Sequence, residues 1–495
     1  MTCTVQPETT AATANHGEAA HNKVSVLTEV KASSTEPYSA FSSGKRRFYM
    51  GIVTFAGFLG PLSGSIYLPL LPLLENGHHG ELHRSRASVN GTVSIFMATF
   101  AVAPLFWASL ADFGGRKILY LSSLTIFFVA NILLVFFCLS FGALYPLRLF
   151  QAFGGASVMS LGAGTIVDLV PPKDRAFALS IFMLGPQVGP ALGPLLGGII
   201  SQYAYRYVFA LLAISTFVAF ALILLCLPET LRYLVGNGSV YESSTWPAKP
   251  RLWQKRLVND DRKYPRPPKP SPRAYYNLLR YVPTLLVCID NALLFGGYYA
   301  FTVDFARTLE QKYLFNQIQI GASFIAPAGG MILGSLISGK LSDKMRAKFV
   351  KQSQSSEAAP ERRIHSQIFG ILISIAGFLM YGWFTRFHIH ISSVLISTIL
   401  AGFGMTWVFA TSSAYLTECA PRQAASLVAV NGVFRNAAAA ISSAVEGPVV
   451  TAIGTGWTFT IVALMYLVVV GIIIYLIRTG ASWRRKREEW EKSSP

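Results

Sequence analysis

Charge is scarce in this sequence. Only 13% of its 495 residues are Asp, Glu, Lys or Arg, whereas 52% are hydrophobic. A soluble chain of this length would divide into two or three domains with charged surfaces, so the composition excludes an ordinary soluble protein and indicates a membrane protein. The 5 cysteines are too few and too scattered to predict a disulfide framework.

Motifs of familiar catalytic chemistry are also lacking. The chain contains no Gly-x-x-x-x-Gly-Lys loop for phosphates, no His-Glu-x-x-His metal motif and no serine-nucleophile elbow. ATP-driven transport and membrane hydrolysis are therefore unsupported. We expect a protein that is not an enzyme and that uses neither a cofactor nor a metal.

Long apolar stretches are what the sequence does have. A membrane-crossing helix needs about 20 mostly apolar residues. Twelve such stretches, bounded by charges or by Gly and Pro clusters, predict an all-α polytopic fold. We number these spans 1 to 12, and their predicted limits are 48–74, 88–110, 117–138, 143–169, 176–201, 206–228, 282–306, 318–341, 366–386, 391–415, 424–450 and 456–477.

The distribution of basic residues predicts the orientation. Loops rich in Lys and Arg remain cytoplasmic, and with a cytoplasmic N-terminus most of the 42 basic residues fall on that side. Both termini are therefore predicted to be cytoplasmic. The net charge of +18 suits contact with anionic membrane lipids and does not call for a nucleic-acid partner.

A basic, proline-rich segment divides the chain. Residues 229–281 include the run Pro-Arg-Pro-Pro-Lys-Pro-Ser-Pro that starts at Pro265, where proline removes amide donors and favours extended backbone. The predicted domains are a disordered N-terminal tail 1–47, a six-helix half 48–228, the linker 229–281, a second six-helix half 282–478 and a C-terminal tail 479–495.

Two motifs recur six helices apart. The loop after span 2 reads Leu-Ala-Asp112-Phe-Gly-Gly-Arg116-Lys117, and the loop after span 8 carries Ser-Asp343-Lys-Met-Arg. A second echo joins the end of span 4, from Asp168, to the end of span 10. Such repeats indicate two related halves, an architecture common among transporters.

These residues resemble the major facilitator superfamily, over nearly the whole chain, and most of all its fungal twelve-span drug:proton antiporters of the quinidine-resistance and dityrosine-exporter branch. The resemblance implies a conformational latch: Asp112 would face the N-terminus of span 11, and Arg116 would pair with Asp168. Asp343 would serve the matching loop of the second half. An ordinary surface salt bridge is the alternative.

Ionisable groups inside spans are candidates for proton coupling, because charge at membrane depth is costly. Arg148 lies in span 4, and by resemblance it assists coupling; an arginine stays protonated and cannot itself carry the proton. Asp290 in span 7 and Glu446 in span 11 are the candidate carriers, with Arg435 on the same helix as Glu446. A structural pair between one of these acids and Arg148 or Arg435 is the alternative.

Span 5 carries glycine at every fourth position. Gly189, Gly193, Pro194, Gly197 and Gly198 form a flat face that admits another helix. Span 8 is a candidate partner, because it carries Gly330, Gly334 and Ser338 at the same spacing. By resemblance this motif accompanies antiporters more than uptake symporters; tight packing without directional meaning is the alternative. Aromatic side chains suited to flat or cationic organic molecules are predicted to line a cavity: Tyr67, Tyr298, Tyr299 and Trp407.

Together these features predict proton-coupled efflux of a small organic solute or drug by a monomeric plasma-membrane antiporter that works by alternating access. One alternative is a dedicated exporter of an endogenous metabolite, organic acid or polyamine. Another is a nutrient sensor that keeps the fold without transporting. Fold alone does not choose the solute.

Overall fold

The computed structural model describes residues 38–76, 85–137, 140–171, 174–238, 279–353, 364–419 and 424–493. Residues 1–37 of the predicted N-terminal tail and residues 239–278 of the predicted linker lie outside the described residues. Within helices, the side chains of Asp112 and Asp343 also lie outside them.

Every regular element in these ranges is helical. The long helices are Ser43–Ser65, Arg86–Gly114, Arg116–Phe137, Phe141–Leu169, Arg175–Ser201 and Arg206–Cys226 in the first half, and Val282–Tyr313, Ile325–Ser353, Gln367–Arg386, Ile391–Cys419 and Ala424–Ser493 in the second. Short helices extend span 1 at Leu68–Leu70 and Leu71–Asn76, begin span 8 at Gln317–Ser323, and follow span 6 at Arg232–Val235.

Eleven of the described helical segments are long and apolar enough to cross a membrane. The last helix, Ala424–Ser493, contains a break at Gly454, whose φ of 79° and ψ of 162° are not helical. Glycine adopts a positive φ without the steric cost that a Cβ imposes. The break separates spans 11 and 12, so the predicted twelve-span fold is confirmed.

Local signals explain where several helices begin. Ser42 and Ser85 accept hydrogen bonds from the third amide beyond them, and Asn316 forms a reciprocal capping box with Gln319. Gly115, with a φ of 94°, separates spans 2 and 3. These residues satisfy amide groups that the first turn of a helix leaves without a partner.

The two halves meet mainly through span 2 against span 11 and span 5 against the start of span 8, and the end of span 1 also contacts span 7. We call the end of the bundle where span 1 finishes and span 2 starts the external end, following the predicted orientation. Apolar side chains such as Ile214, Leu336 and Val468 point outward and are more than half exposed, as a lipid-facing surface requires.

Several boundaries differ from the predicted ones. Span 7 continues to Tyr313 and the helix of span 8 to Ser353, because polar residues past the predicted apolar stretches remain helical. The final helix likewise runs on to Ser493, through the predicted tail. Residues 229–238, assigned to the linker, pack beneath the first half, where Arg232 donates to the carbonyl of Asp168 at 3.2 Å.

Candidate functional site

A network of charged side chains joins the two halves at the external end. Arg86, at the start of span 2, donates to Asp304 of span 7 at 2.9 Å and also to Glu446 of span 11. Both carboxylates are 2% exposed. One guanidinium from the first half therefore holds two helices of the second half.

A second arginine crosses the interface in the opposite direction. Arg307 of span 7 donates to Glu75 at the end of span 1 at 2.5 Å and to the side-chain oxygen of Asn90 in span 2. It also donates to Glu446 at 3.2 Å, and Asn90 donates to the same carboxylate at 2.9 Å. Glu446 thus contacts both arginines, and the five charged residues Glu75, Arg86, Asp304, Arg307 and Glu446 form what we call the external charge network.

Further polar groups complete this network. Tyr381 of span 9 donates to Asp304 at 2.8 Å, and Thr308 donates to the same oxygen at 3.1 Å. Lys312 faces Asp304 and Arg86 from the rim, where it is half-buried and donates to the carbonyl of Thr385 at 3.0 Å. Buried charges are tolerated when they are paired and hydrogen-bonded in this way.

The network contains three carboxyl groups and two guanidinium groups. The five residues together carry one excess negative charge, which either a proton shared among the carboxyls or the neighbouring Lys312 offsets. Below it, Ser94 of span 2 and Ser443 of span 11 are hydrogen-bonded at 2.9 Å between their hydroxyl oxygens. The hydrogen bonds that the structure describes between the halves all lie at this end, which is therefore closed.

Arg148 lies deep in the first half. It is completely buried, with its guanidinium 4.2 Å from the ring centre of Tyr67 and 4.4 Å from that of Phe96. One of its nitrogens donates to the Ser63 carbonyl at 3.2 Å and to Gln151 at 2.6 Å. These contacts use the ring faces and two acceptors, and no described carboxylate pairs with this arginine.

Arg435 is the corresponding cation of the second half. Its guanidinium lies 4.7 Å from the ring centre of Phe295 and 4.6 Å from that of Phe409. Tyr299 of span 7 lies within electrostatic range of both Arg435 and Arg148. The two arginines, one from each half, therefore lie near the same tyrosine.

The predicted cavity aromatics do not all meet there. Tyr67 and Tyr299 lie beside Arg148, but Tyr298 donates its hydroxyl to the sulfur of Met331 at 3.1 Å. Trp407 packs against Phe369 and other rings of the second half. Each of these helices has several buried faces. Tyr298 and Trp407 therefore pack between helices, although Tyr299 and Phe409 on the same helices lie near the arginines.

The two candidate proton carriers have different surroundings. Asp290 is completely buried, and neither of its carboxylate oxygens has a hydrogen-bond partner in the described part of the chain. It lies within electrostatic range of Tyr466 in span 12. Glu446 belongs to the external charge network, so the pairing of either acid with Arg148 or Arg435 is not observed.

The loop between spans 2 and 3, which is predicted to be cytoplasmic, shows one of the implied pairs. Arg116 donates to Asp168 at 3.2 Å. Glu229, which the sequence did not single out, accepts from the backbone amides of Arg116 at 2.8 Å and Lys117 at 3.2 Å. The first turn of span 3 is thus capped by a carboxylate from beyond span 6, and the contacts of Asp112 and Asp343 lie outside the described side chains.

The glycine face of span 5 packs mainly against span 1, and the candidate pairing with Gly330 and Gly334 of span 8 is not observed. A Cβ at Gly189 would lie 2.8 Å from the Leu62 nitrogen, and one at Gly193 would lie 2.8 Å from the Ile66 nitrogen. Gly197 also faces Ile66. Within the span 5 motif, Pro194 and Gly198 approach Gly321 at the start of span 8. Gly330 and Gly334 of span 8 face span 10 instead.

Sequence reasoning missed most of the external charge network. Asp304 lies inside predicted span 7 and satisfied the criterion that selected Asp290. Arg307, Arg86 and Glu75 fell just outside predicted spans, and only the fold shows that these helix ends are buried against one another. Among the described residues, no group of His, Cys, Asp and Glu is arranged to hold a metal ion.

Comparison with known proteins agrees with this architecture. The family model of the Major Facilitator Superfamily matches residues 53–354 and 361–494. Dityrosine transporter 1 of Saccharomyces cerevisiae is 41% identical over 466 residues, covering 89% of this chain and 81% of that protein. Multidrug transporter DTR1 of Candida glabrata is 40% identical over 473 residues, covering 90% and 86%.

Solved structures show the same fold at low sequence identity. A bacterial homologue of the human lysosomal transporter Spinster, in an inward-facing and unoccupied conformation, superposes with a TM-score of 0.62 at 15% identity and covers 90% of this chain and 99% of that one. The chain is thus a multi-pass membrane transporter and not an enzyme. By its family model, its relatives and its paired six-helix halves, it belongs to the major facilitator superfamily.

Proposed function

We propose that this protein exports a small organic solute in exchange for protons, by exposing a central site alternately to the two sides of the membrane. The external charge network is the observation that carries this proposal. Its members come from both halves, so the external end opens only when these ion pairs separate. The energy of separating them must come from ligands that favour one state over the other.

The network has more carboxyl groups than guanidinium groups, and this excess supports proton binding as the step that favours one state. A carboxylate beside other carboxylates gains from binding a proton, and burial strengthens that preference. When the external end is open, water separates the three carboxyls; when it closes, they share two guanidiniums. A proton taken up from outside therefore favours closure, which is the direction that a proton-driven exporter needs for its return step.

Glu446 is the proposed carrier within the network because it contacts Arg86, Arg307 and Asn90 and lies within electrostatic range of Asp304. Asp290 is the competing carrier, since its buried carboxyl has no hydrogen-bond partner among the described residues and a buried unpaired charge is costly. The proposed latch of Arg116 and Asp168, with Asp112 and Asp343, would bias the same equilibrium from the cytoplasmic end.

The class of solute is proposed from the relatives. One relative is called a dityrosine transporter and the other a multidrug transporter, and both names describe the movement of organic molecules. The proposal also includes a monomer in the plasma membrane, surrounded by lipid, with both termini in the cytoplasm. The excess of basic residues in the predicted cytoplasmic segments supports that orientation.

Solute efflux from proteoliposomes at several imposed pH differences tests proton coupling. Glu446→Gln keeps the shape of the side chain but cannot titrate, so we expect transport that no longer responds to the pH difference. Asp174→Asn, an exposed carboxylate outside the network, is the matched control and should respond as the native protein does.

Asp290→Asn, measured in parallel, identifies the carrier. If Asp290→Asn abolishes the response to the pH difference and Glu446→Gln retains it, the carrier lies in span 7. If both variants keep the full response, proton-coupled export by these carboxyls is excluded.

A further inference from the structure

Two arginines inside the spans, Arg148 and Arg435, have no carboxylate partner in the described part of the chain. Arg148 uses one nitrogen for its two hydrogen bonds, while its other two side-chain nitrogens, Nε and Nη2, have no hydrogen-bond partner in the described residues. The side chain is 0% exposed. An unsatisfied buried guanidinium is costly, so this pattern is typical of a site that awaits a ligand.

Arg435 shows the same lack of partners. Throughout the part of the chain that the structure describes it has neither an ion pair nor a hydrogen bond, and its Nε is fully buried. Its contacts are the faces of Phe295 and Phe409, both half-buried. Ring faces satisfy the flat surface of a guanidinium and leave its five N–H donors, which lie in the plane, available.

The position of Tyr299 supports the assignment of both arginines to one region. This half-buried tyrosine of span 7 lies within electrostatic range of Arg148 in the first half and Arg435 in the second. A solute between the halves would contact cations from both sides. Asp290, the buried acid of the same helix, lies instead within range of Tyr466 of span 12.

We propose that this central region binds an organic anion with an aromatic ring, and that Arg148 and Arg435 hold its acidic groups. The inference rests on the proposed transport function and specifies its substrate class. The planar fork of arginine donates two parallel hydrogen bonds to a carboxylate, and Tyr67, Phe295 and Phe409 supply ring faces beside those donors.

The same geometry disfavours an organic cation. A cation would add a third positive charge to a region with two uncompensated guanidiniums, and the ring faces that would attract it are already covered by arginine. An anion bound to both arginines also keeps a contact with each half while the halves move around it, because each half contributes one arginine.

Equilibrium binding with no pH gradient tests this proposal separately from proton coupling. The purified full-length protein in lipid nanodiscs is titrated with three probes that share one ring: N-acetyl-L-tyrosine, an anion; N-acetyl-L-tyrosinamide, neutral; and L-tyrosinamide, a cation. We expect the anion to bind about tenfold more tightly than the neutral amide, from charge-assisted hydrogen bonds, and the cation to bind most weakly.

Arginine variants assign the effect to the site. Arg435→Gln should reduce the anion-to-amide affinity ratio towards one while the affinity for the neutral amide changes little. Arg148→Lys keeps the charge but loses the planar fork, and should reduce the ratio less than Arg435→Gln. Arg206→Gln, an exposed arginine 6.0 Å from the ring centre of Tyr207, is the matched control and should keep the native ratio.

Three outcomes would overturn the proposal: no binding of N-acetyl-L-tyrosine, equal affinity for it and its amide, or tightest binding of the cation. An unchanged ratio in Arg435→Gln would do so as well. If the efflux measurement shows no proton coupling, these affinity ratios are unaffected. If the ratios are lost, the efflux measurement still decides whether transport responds to the pH difference.

Discussion

At the scale of single residues, Glu229 stabilises two segments that lie far apart in the sequence. Its carboxylate accepts from the amides of Arg116 and Lys117 and from those of Thr230 and Leu231, the latter two at 3.0 Å. It is 8% exposed. One side chain therefore caps span 3 and fixes the turn that leaves span 6, which explains why the beginning of the predicted linker belongs to the first half.

We predict that Glu229→Ala lowers the stability of the first half by about 1 to 3 kcal/mol, because four buried or partly buried amides lose their acceptor. Glu229→Gln retains one carbonyl oxygen and should lose less. The measurement is the apparent melting temperature in detergent, with solute affinity as the control for an intact site. A melting temperature equal to that of the native protein in Glu229→Ala would refute this account of the cap.

Residue by residue, the sequence identified groups that are unusual within an apolar stretch. Arg148, Asp290, Arg435 and Glu446 are all found in spans and largely or completely buried, as their membrane setting predicts. Their partners could not be predicted in the same way. Glu446 pairs with Arg86 and not with Arg435 because pairing depends on how helices of different halves meet, which no periodicity within one helix encodes.

At the scale of helices, the number and order of the spans follow from hydropathy, since each helix must satisfy its own backbone in lipid. The helix that packs against a glycine face cannot be predicted from hydropathy in the same way. Glycine at every fourth residue predicts a close approach, and the approach is real, but the choice of span 1 over span 8 depends on the whole bundle. The end of span 7 was missed for a related reason: its helix continues into polar residues, such as Arg307 and Thr308, that tertiary contacts cover.

We predict that Gly193→Ala separates spans 1 and 5. The new Cβ would lie 2.8 Å from the backbone nitrogen of Ile66, closer than van der Waals contact, and backbone atoms cannot move aside as a flexible side chain can. Overpacking of this kind costs about 1 to 3 kcal/mol. The apparent melting temperature and the rate of solute exchange should both fall.

Gly51→Ala is the control for this substitution. Gly51 lies on span 1, and a Cβ there meets no atom within 4 Å. It should leave melting and exchange unchanged. Native behaviour of Gly193→Ala in both measurements would mean that the two helices have room that the structure does not show.

At the scale of the whole molecule, the halves are joined at one end by polar contacts, and alternating access requires these contacts to break. Ser94 and Ser443, with hydroxyl oxygens 2.9 Å apart, lie on opposite halves beside the external charge network. In a background without the native cysteines, Ser94→Cys with Ser443→Cys places two thiols at disulfide distance. We predict that oxidation links them, stops solute exchange, and that a reductant restores it.

A second cysteine pair makes this prediction specific to motion between the halves. Ser123 and Ser157 are hydrogen-bonded at 2.7 Å on spans 3 and 4 of the first half, so Ser123→Cys with Ser157→Cys should form an equivalent bond. If each half moves as a unit, that bond is compatible with every state of the cycle and exchange continues. If exchange persists when positions 94 and 443 are linked, the external end does not open. If exchange is lost in both cysteine pairs, the helices within a half also rearrange. Only arrest by the first bond together with continued exchange through the second agrees with two rigid halves that part at the external charge network.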